Sequence, residues 1–111
     1  MFKVFAYLTK REGITRDAFI DYYENHHVPL VLSLAPMPKV YKRNYLRRGD
    51  AADPEPTIRF DVVTELVWDD RTGYENWISA LGVLAIAEDE ARFLDRSKTT
   101  SYPIDEQVSA A

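Results

Sequence analysis

The two histidines of this chain, His26 and His27, stand side by side in the run from Thr15 to Pro29, TRDAFIDYYENHHVP. Histidine is the side chain whose unperturbed pKa, about 6.5, lets it give and take protons near neutral pH without special tuning. General acid–base chemistry is therefore expected to start here. Thr15 has the chemistry of a helix N-cap and Asp17 falls in the first turn, while Val28-Pro29 should end or kink the helix just past the histidines. Successive helical residues diverge by about 100°. His26 and His27 thus cannot converge comfortably on one substrate atom or one metal ion, and one of them is left to packing or solvent.

Helical spacing sorts the neighbours. Phe19, Tyr22, Tyr23 and His26 follow the i, i+3, i+4, i+7 rule, Ile20, Tyr23, Glu24 and His27 form the adjoining stripe, and Tyr23 borders both. On the residues alone each histidine stands open to two readings, a reactive imidazole or a member of the amphipathic seam. Glu24-x-x-His27 has the spacing of half a di-iron motif. A working site needs a second copy and the chain has no further histidine, so no metal is expected and Glu24 is expected on an exposed polar flank.

Around this helix the pattern supplies strands. Phe2 to Thr9 reads as a central strand, with Phe2, Val4, Ala6 and Leu8 on one face and Lys3, Phe5, Tyr7 and Thr9 on the other. Leu30 to Leu34 can add a turn to the helix before Pro36-Met37-Pro38. A second strand spans Lys39 to Arg47, a loop runs from Gly49 to Thr57, and a third strand spans Ile58 to Trp68. Thr72-Gly73-Tyr74-Glu75 reads as a capping box opening a second helix that carries Trp77 and is broken by Gly82. Ala85 to Leu94 forms a further helical piece. Lys98 to Glu106 is a last strand that tolerates Pro103 best at an edge, and Val108 to Ala111 a frayed tail. The order β-α-β-β-α-β predicts an α+β, ferredoxin-like fold with four antiparallel strands and both helices on one face. The bare face predicts a homodimer closing sheet against sheet.

Asp61 and Glu65 share a face of the third strand, with Arg59 beside them. They read either as a solvated, ion-paired stripe or as acid, base or orienting groups. Seven tyrosines, five phenylalanines and two tryptophans supply core, and Tyr7, Tyr23, Tyr41, Trp68 and Trp77 would line a pocket suited to a flat or hydrophobic substrate.

Composition removes several classes of function. The 111 residues suit one domain spanning 1–111. A net charge of −4 argues against nucleic acid. The absence of cysteine removes disulfides, thiolate catalysis and cysteine-ligated metals. No Gly-rich phosphate loop or Gly-x-Ser-x-Gly elbow occurs, so no nucleotide, flavin or other cofactor is expected. No run has the apolar length of a membrane span or signal peptide, so no membrane partner and a cytoplasmic location are expected.

The run Tyr22 to Leu30, with its step His27-Val28-Pro29-Leu30, resembles the signature of the EthD family, and so the family's histidine maps onto His27. Lys10-Arg11 after the first strand, Tyr41 and Asn44, Asp61 and Glu65, Asp89-Glu90 and Phe93-Leu94-Asp95 match in order. The resemblance implies a dimeric α+β barrel of ferredoxin-like halves, in a superfamily that includes lactone isomerases, polyketide cyclases and dehydratases, and cofactor-free monooxygenases. The expected activity is a cofactor-independent lyase, cyclase or isomerase acting on an aromatic, polyketide-like or lactone substrate. His27 would be the base, Tyr23, Tyr41 or Asn44 would hold the oxyanion, Asp61 or Glu65 would orient His27 or the substrate, and Tyr7, His26, Trp68 and Trp77 would contact substrate. A monooxygenase using Asn44, Trp68 and Trp77, and a non-catalytic carrier of a hydrophobic metabolite, are the rival readings.

Overall fold

The computed structural model describes residues 1–55 and 57–110. Pro56 of the Gly49–Thr57 loop and Ala111 of the expected tail lie outside the described residues. Four strands form one antiparallel sheet, β1 (Phe2–Leu8), β2 (Val40–Tyr45), β3 (Val62–Trp68) and β4 (Thr100–Ile104), in the order β2-β3-β1-β4. This is the α+β, ferredoxin-like arrangement, with β1 and β3 central. Pro103 sits opposite Val4 on the edge strand β4, where its missing N–H removes no ladder bond on the outer side.

One helical rod, α1 (Arg16–Tyr22), a π turn (Tyr23–His27) and α2 (Val28–Leu34), joins β1 to β2, and α3 (Arg71–Leu81) and α4 (Leu84–Ala91) join β3 to β4. No helix among the described residues is long and apolar enough to cross a membrane. Thr15 caps α1 as its chemistry predicts, accepting from Ala18 N–H at 3.1 Å. The cap of α3 is Asp70, which accepts from Gly73 N–H at 3.1 Å; Thr72 lies inside the helix, so the predicted capping box does not form. Gly73 itself allows close packing, because a Cβ there would meet Trp68 Cβ at 3.0 Å.

Strand alternation divides the sheet. Val4, Leu8, Val62, Thr64, Leu66 and Trp68 are buried on the helix-covered side. Lys3, Phe5, Tyr7, Val63 and Glu65 occupy the other side, as the pairings Phe5 with Glu65 and Tyr7 with Val63 require. The third strand begins later than its alternation suggests. Arg48 donates to the carbonyls of Ile58 (2.8 Å) and Phe60 (2.9 Å) and to Asp61, holding 58–60 out of the ladder, which Asp61 joins through Leu8 O and Leu46 N–H. Phe60 therefore leaves the face of Val62 and packs edge-on against Tyr7, centroids 4.9 Å apart.

Candidate active site

Pro29 does not end the helix after the histidines; the backbone stays helical through Leu34. Proline lacks an N–H and its ring crowds the carbonyl four residues back. The chain accommodates this with a π turn, in which Val28 N–H reaches Tyr23 O, five residues back. In an unbroken α-helix an i, i+4, i+8 series drifts by about 40° per step. The wider turn reduces that drift, so Phe19, Tyr23 and His27 are all buried, while His26 is exposed and stacks on Tyr22, centroids 4.9 Å apart. Of the two imidazoles it is His27 that reaches the interior.

His27 Nδ1 lies 2.7 Å from Asp89 Oδ2 on α4, and Tyr22 Oη donates to Asp89 Oδ1 at 2.6 Å. Burial, and then the carboxylate beside it, raise the Tyr22 pKa, so the phenol stays a donor. An ionised carboxylate only accepts hydrogen bonds, so Nδ1 carries the proton and the lone pair of the neutral ring is on Nε2. Phe93, fully buried, closes one side of the imidazole at 4.9 Å. Nε2 has no hydrogen-bond partner among the described residues, and no buried side-chain nitrogen or oxygen among them is left unpaired. Nε2 is therefore open to solvent.

The opening is a cavity of about 400 Å³ between the sheet and α3–α4, which His27 lines. Its walls are apolar, from Val4, Leu66, Trp68 and Trp77 to Leu81 and Ile86, with Tyr74, Glu90, Thr99 and Ser101 as polar members. A base with its second nitrogen fixed, set in an apolar recess with a few hydroxyls, has the elements of a proton-transfer site.

Asp61 and Glu65 are not part of it. Both lie on the opposite face of the sheet. Asp61 accepts from Lys10 N–H at 2.8 Å and from Arg48, and Glu65 stands 3.7 Å from Lys3; neither reaches His27, whose orienting carboxylate is Asp89. Tyr7 and Asn44 share that far face, Tyr7 against Phe60 and Tyr102 and Asn44 donating to Val63 O at 3.0 Å. Of the five expected pocket aromatics, Trp68 and Trp77 line the cavity. Tyr23 is buried with its hydroxyl 2.7 Å from Thr64 Oγ1, and burial raises its pKa well above the ordinary value. Tyr41 packs edge-on to Trp77 beneath Arg43, and burial pushes its phenol up to about 12. Neither lines the cavity. Glu24 is not a free exposed flank. Its carboxylate takes a bidentate pair from Arg43 (2.5 and 2.9 Å) and a bond from Tyr45 at 2.5 Å, clamping the π turn to β2. Arg43 holds its pKa below the ordinary carboxylate value.

Asp89, Tyr74 and the hydroxyls of Thr99 and Ser101 escape sequence reasoning as site members. The acidic pair Asp89-Glu90 is visible in the sequence, but acidic residues near helix ends usually serve as caps or solvated charge, and nothing local connects Asp89 with a residue 62 positions away.

The sequence model of the EthD domain matches residues 11–97. An EthD family protein from Bacillus halodurans has a similar structure, at 20% identity and a TM-score of 0.63, over 96% of this chain and 100% of that one. A dimeric ferredoxin-like protein of unknown function from Thermobifida fusca matches at 16% identity and TM-score 0.57, over 93% and 88% of the two chains. The hydroxynitrile lyase from Passiflora edulis matches at 16% identity and TM-score 0.58, over 97% and 96%. No curated protein matches the sequence. With the domain match covering most of the chain, and the ferredoxin-like sheet and helices on the page, this protein belongs to the EthD family.

Proposed function

We propose that the protein is a cofactor-independent lyase, cyclase or isomerase acting on a small aromatic, polyketide-like or lactone substrate. The observation that carries this reading is the Asp89–His27 pair, whose imidazole has Nδ1 held by Asp89 and lines an apolar cavity. Nε2 takes a proton from the carbon beside a substrate carbonyl, leaving an enolate and an imidazolium held by Asp89. The same proton then returns to a leaving hydroxyl, completing dehydration, or to a shifted carbon, completing isomerisation. Ser101, which lines the cavity at the same end as His27, takes over the oxyanion-holding role expected of Tyr23, Tyr41 and Asn44. The lyase activity of the Passiflora edulis neighbour is consistent with this class.

The functional unit is a homodimer closed through the open face of the sheet, where Phe5, Tyr7, Phe60, Val63 and Tyr102 gather. The description of the Thermobifida fusca neighbour as dimeric supports this assembly.

The test is deuterium exchange at the carbon beside the carbonyl of aryl ketones and lactones in D₂O, followed by NMR. Wild type accelerates the exchange, and His27→Ala lowers the rate by about 10²–10⁴ with an unchanged circular dichroism spectrum. Exchange that survives in His27→Ala removes the mechanism, and saturable binding without exchange in wild type replaces it with a carrier role.

A further inference from the structure

The cavity beside His27 is asymmetric along its length and in its charge. At one end, Leu8 packs among Phe19, Tyr23 and Phe93 close to His27, and Thr99 and Ser101 flank Thr100, which pairs with Tyr7. At the other end, Trp68 pairs with Phe2, and its ring meets Tyr74 and Trp77 at 5.3 and 5.8 Å. Polar, proton-transferring groups thus sit at one end and aromatic faces at the other, separated by most of a strand.

Among the described residues no lysine or arginine lines this cavity, whereas Glu90 does. Two cations lie nearby and neither lines the cavity: Arg96, 3.4 Å from Glu90 and itself more than half exposed, and Arg92, which acts on the Tyr22 phenol on the outer side of Asp89. Arg43 is occupied by Glu24 at the far edge of the sheet. An anionic ligand entering here would lose its water without gaining a counter-charge, and would meet both Glu90 and the carboxylate behind His27.

We infer that the site selects an uncharged, two-ended molecule, a ketone or lactone carbonyl on an aryl or alkyl body, with the carbonyl at His27 and the apolar body against Trp68, and that it rejects carboxylates. This rests on the proposed reading of the His27 cavity as the substrate site.

The matched pair 2-acetylnaphthalene and 2-naphthoate tests it, with binding followed through the His27 ring signals and tryptophan fluorescence. The ketone is expected to bind at least about tenfold more tightly than the carboxylate. Ser101→Lys, which places a cation in the cavity wall, should close or reverse that ratio, with the fold checked by circular dichroism. Naphthoate binding as tightly as the ketone in wild type overturns the inference, as does failure of both ligands to perturb His27 at millimolar concentration, or a ratio indifferent to Ser101→Lys. Deuteration of the ketone methyl group keeps the two proposals apart: selective binding without deuteration removes the catalytic reading and leaves the charge selection standing.

Discussion

His27 Nδ1 and Asp89 Oδ2 lie 2.7 Å apart although 62 residues separate them, which joins the π turn to α4 at one imidazole. This bond fixes the ring's tautomer as well as its direction. In Asp89→Asn the amide can donate as well as accept, so the lone pair is no longer committed to Nε2. We expect ¹⁵N NMR of the wild type to show the proton on Nδ1, and Asp89→Asn to mix the tautomers and slow ketone exchange by about 10²-fold or more. An Asp89→Asn variant with wild-type exchange would show that the carboxylate does not serve the base.

Tyr22 occupies the other oxygen of the same carboxylate, at 2.6 Å. Tyr22→Phe keeps the ring against His26 and Phe93 and removes only the donor. The expected loss is about 1–2 kcal/mol of stability by denaturant titration, with exchange reduced less than about tenfold because the His27–Asp89 bond remains. A larger kinetic than thermodynamic effect would mean that Tyr22 contacts substrate.

Glu24 carries the acid-dependent part of the clamp on the π turn. Its folded pKa is lowered below the ordinary 4.5, first by the hydrogen-bonded Arg43 guanidinium. A depressed carboxylate stabilises the fold above its unfolded pKa, and that contribution is lost as pH falls through the folded value. The stability difference between wild type and Glu24→Gln, measured by urea unfolding, should therefore be constant above about pH 5 and shrink below pH 4.5. A difference independent of pH would assign the clamp to packing alone.

Phe93 is fully buried and touches Phe19, Tyr22, Tyr23 and His27, with centroids 4.9 to 5.8 Å away. Truncation to Ala removes the wall behind the imidazole. We expect about 3–5 kcal/mol of destabilisation, a large part of the roughly 5–15 kcal/mol available to a domain, read as a fall in Tm of about 12 °C or more.

Local sequence determined much of the frame. Period-two alternation separated Asp61 and Glu65 from Leu66 and Trp68, because side chains of a strand point to alternate faces whatever surrounds it. Thr15 announced the start of the helix through its own cap, while the choice of His27 over His26 came from the resemblance of the step His27-Val28-Pro29-Leu30 to the EthD signature, since spacing alone left both histidines open. Tertiary structure decided the rest. Which face of β3 meets the helices depends on what packs there, so Asp61 and Glu65 could not be placed from their spacing. The π turn breaks the 3.6-residue period on which the stripes around His26 and His27 were drawn, and it sends Glu24 toward Arg43. Asp89 became the partner of His27 only when α4 packed against the helical rod. A hydrogen bond between residues so far apart in the chain leaves no local periodicity, since it arises from the packing of elements whose own patterns record only their buried faces.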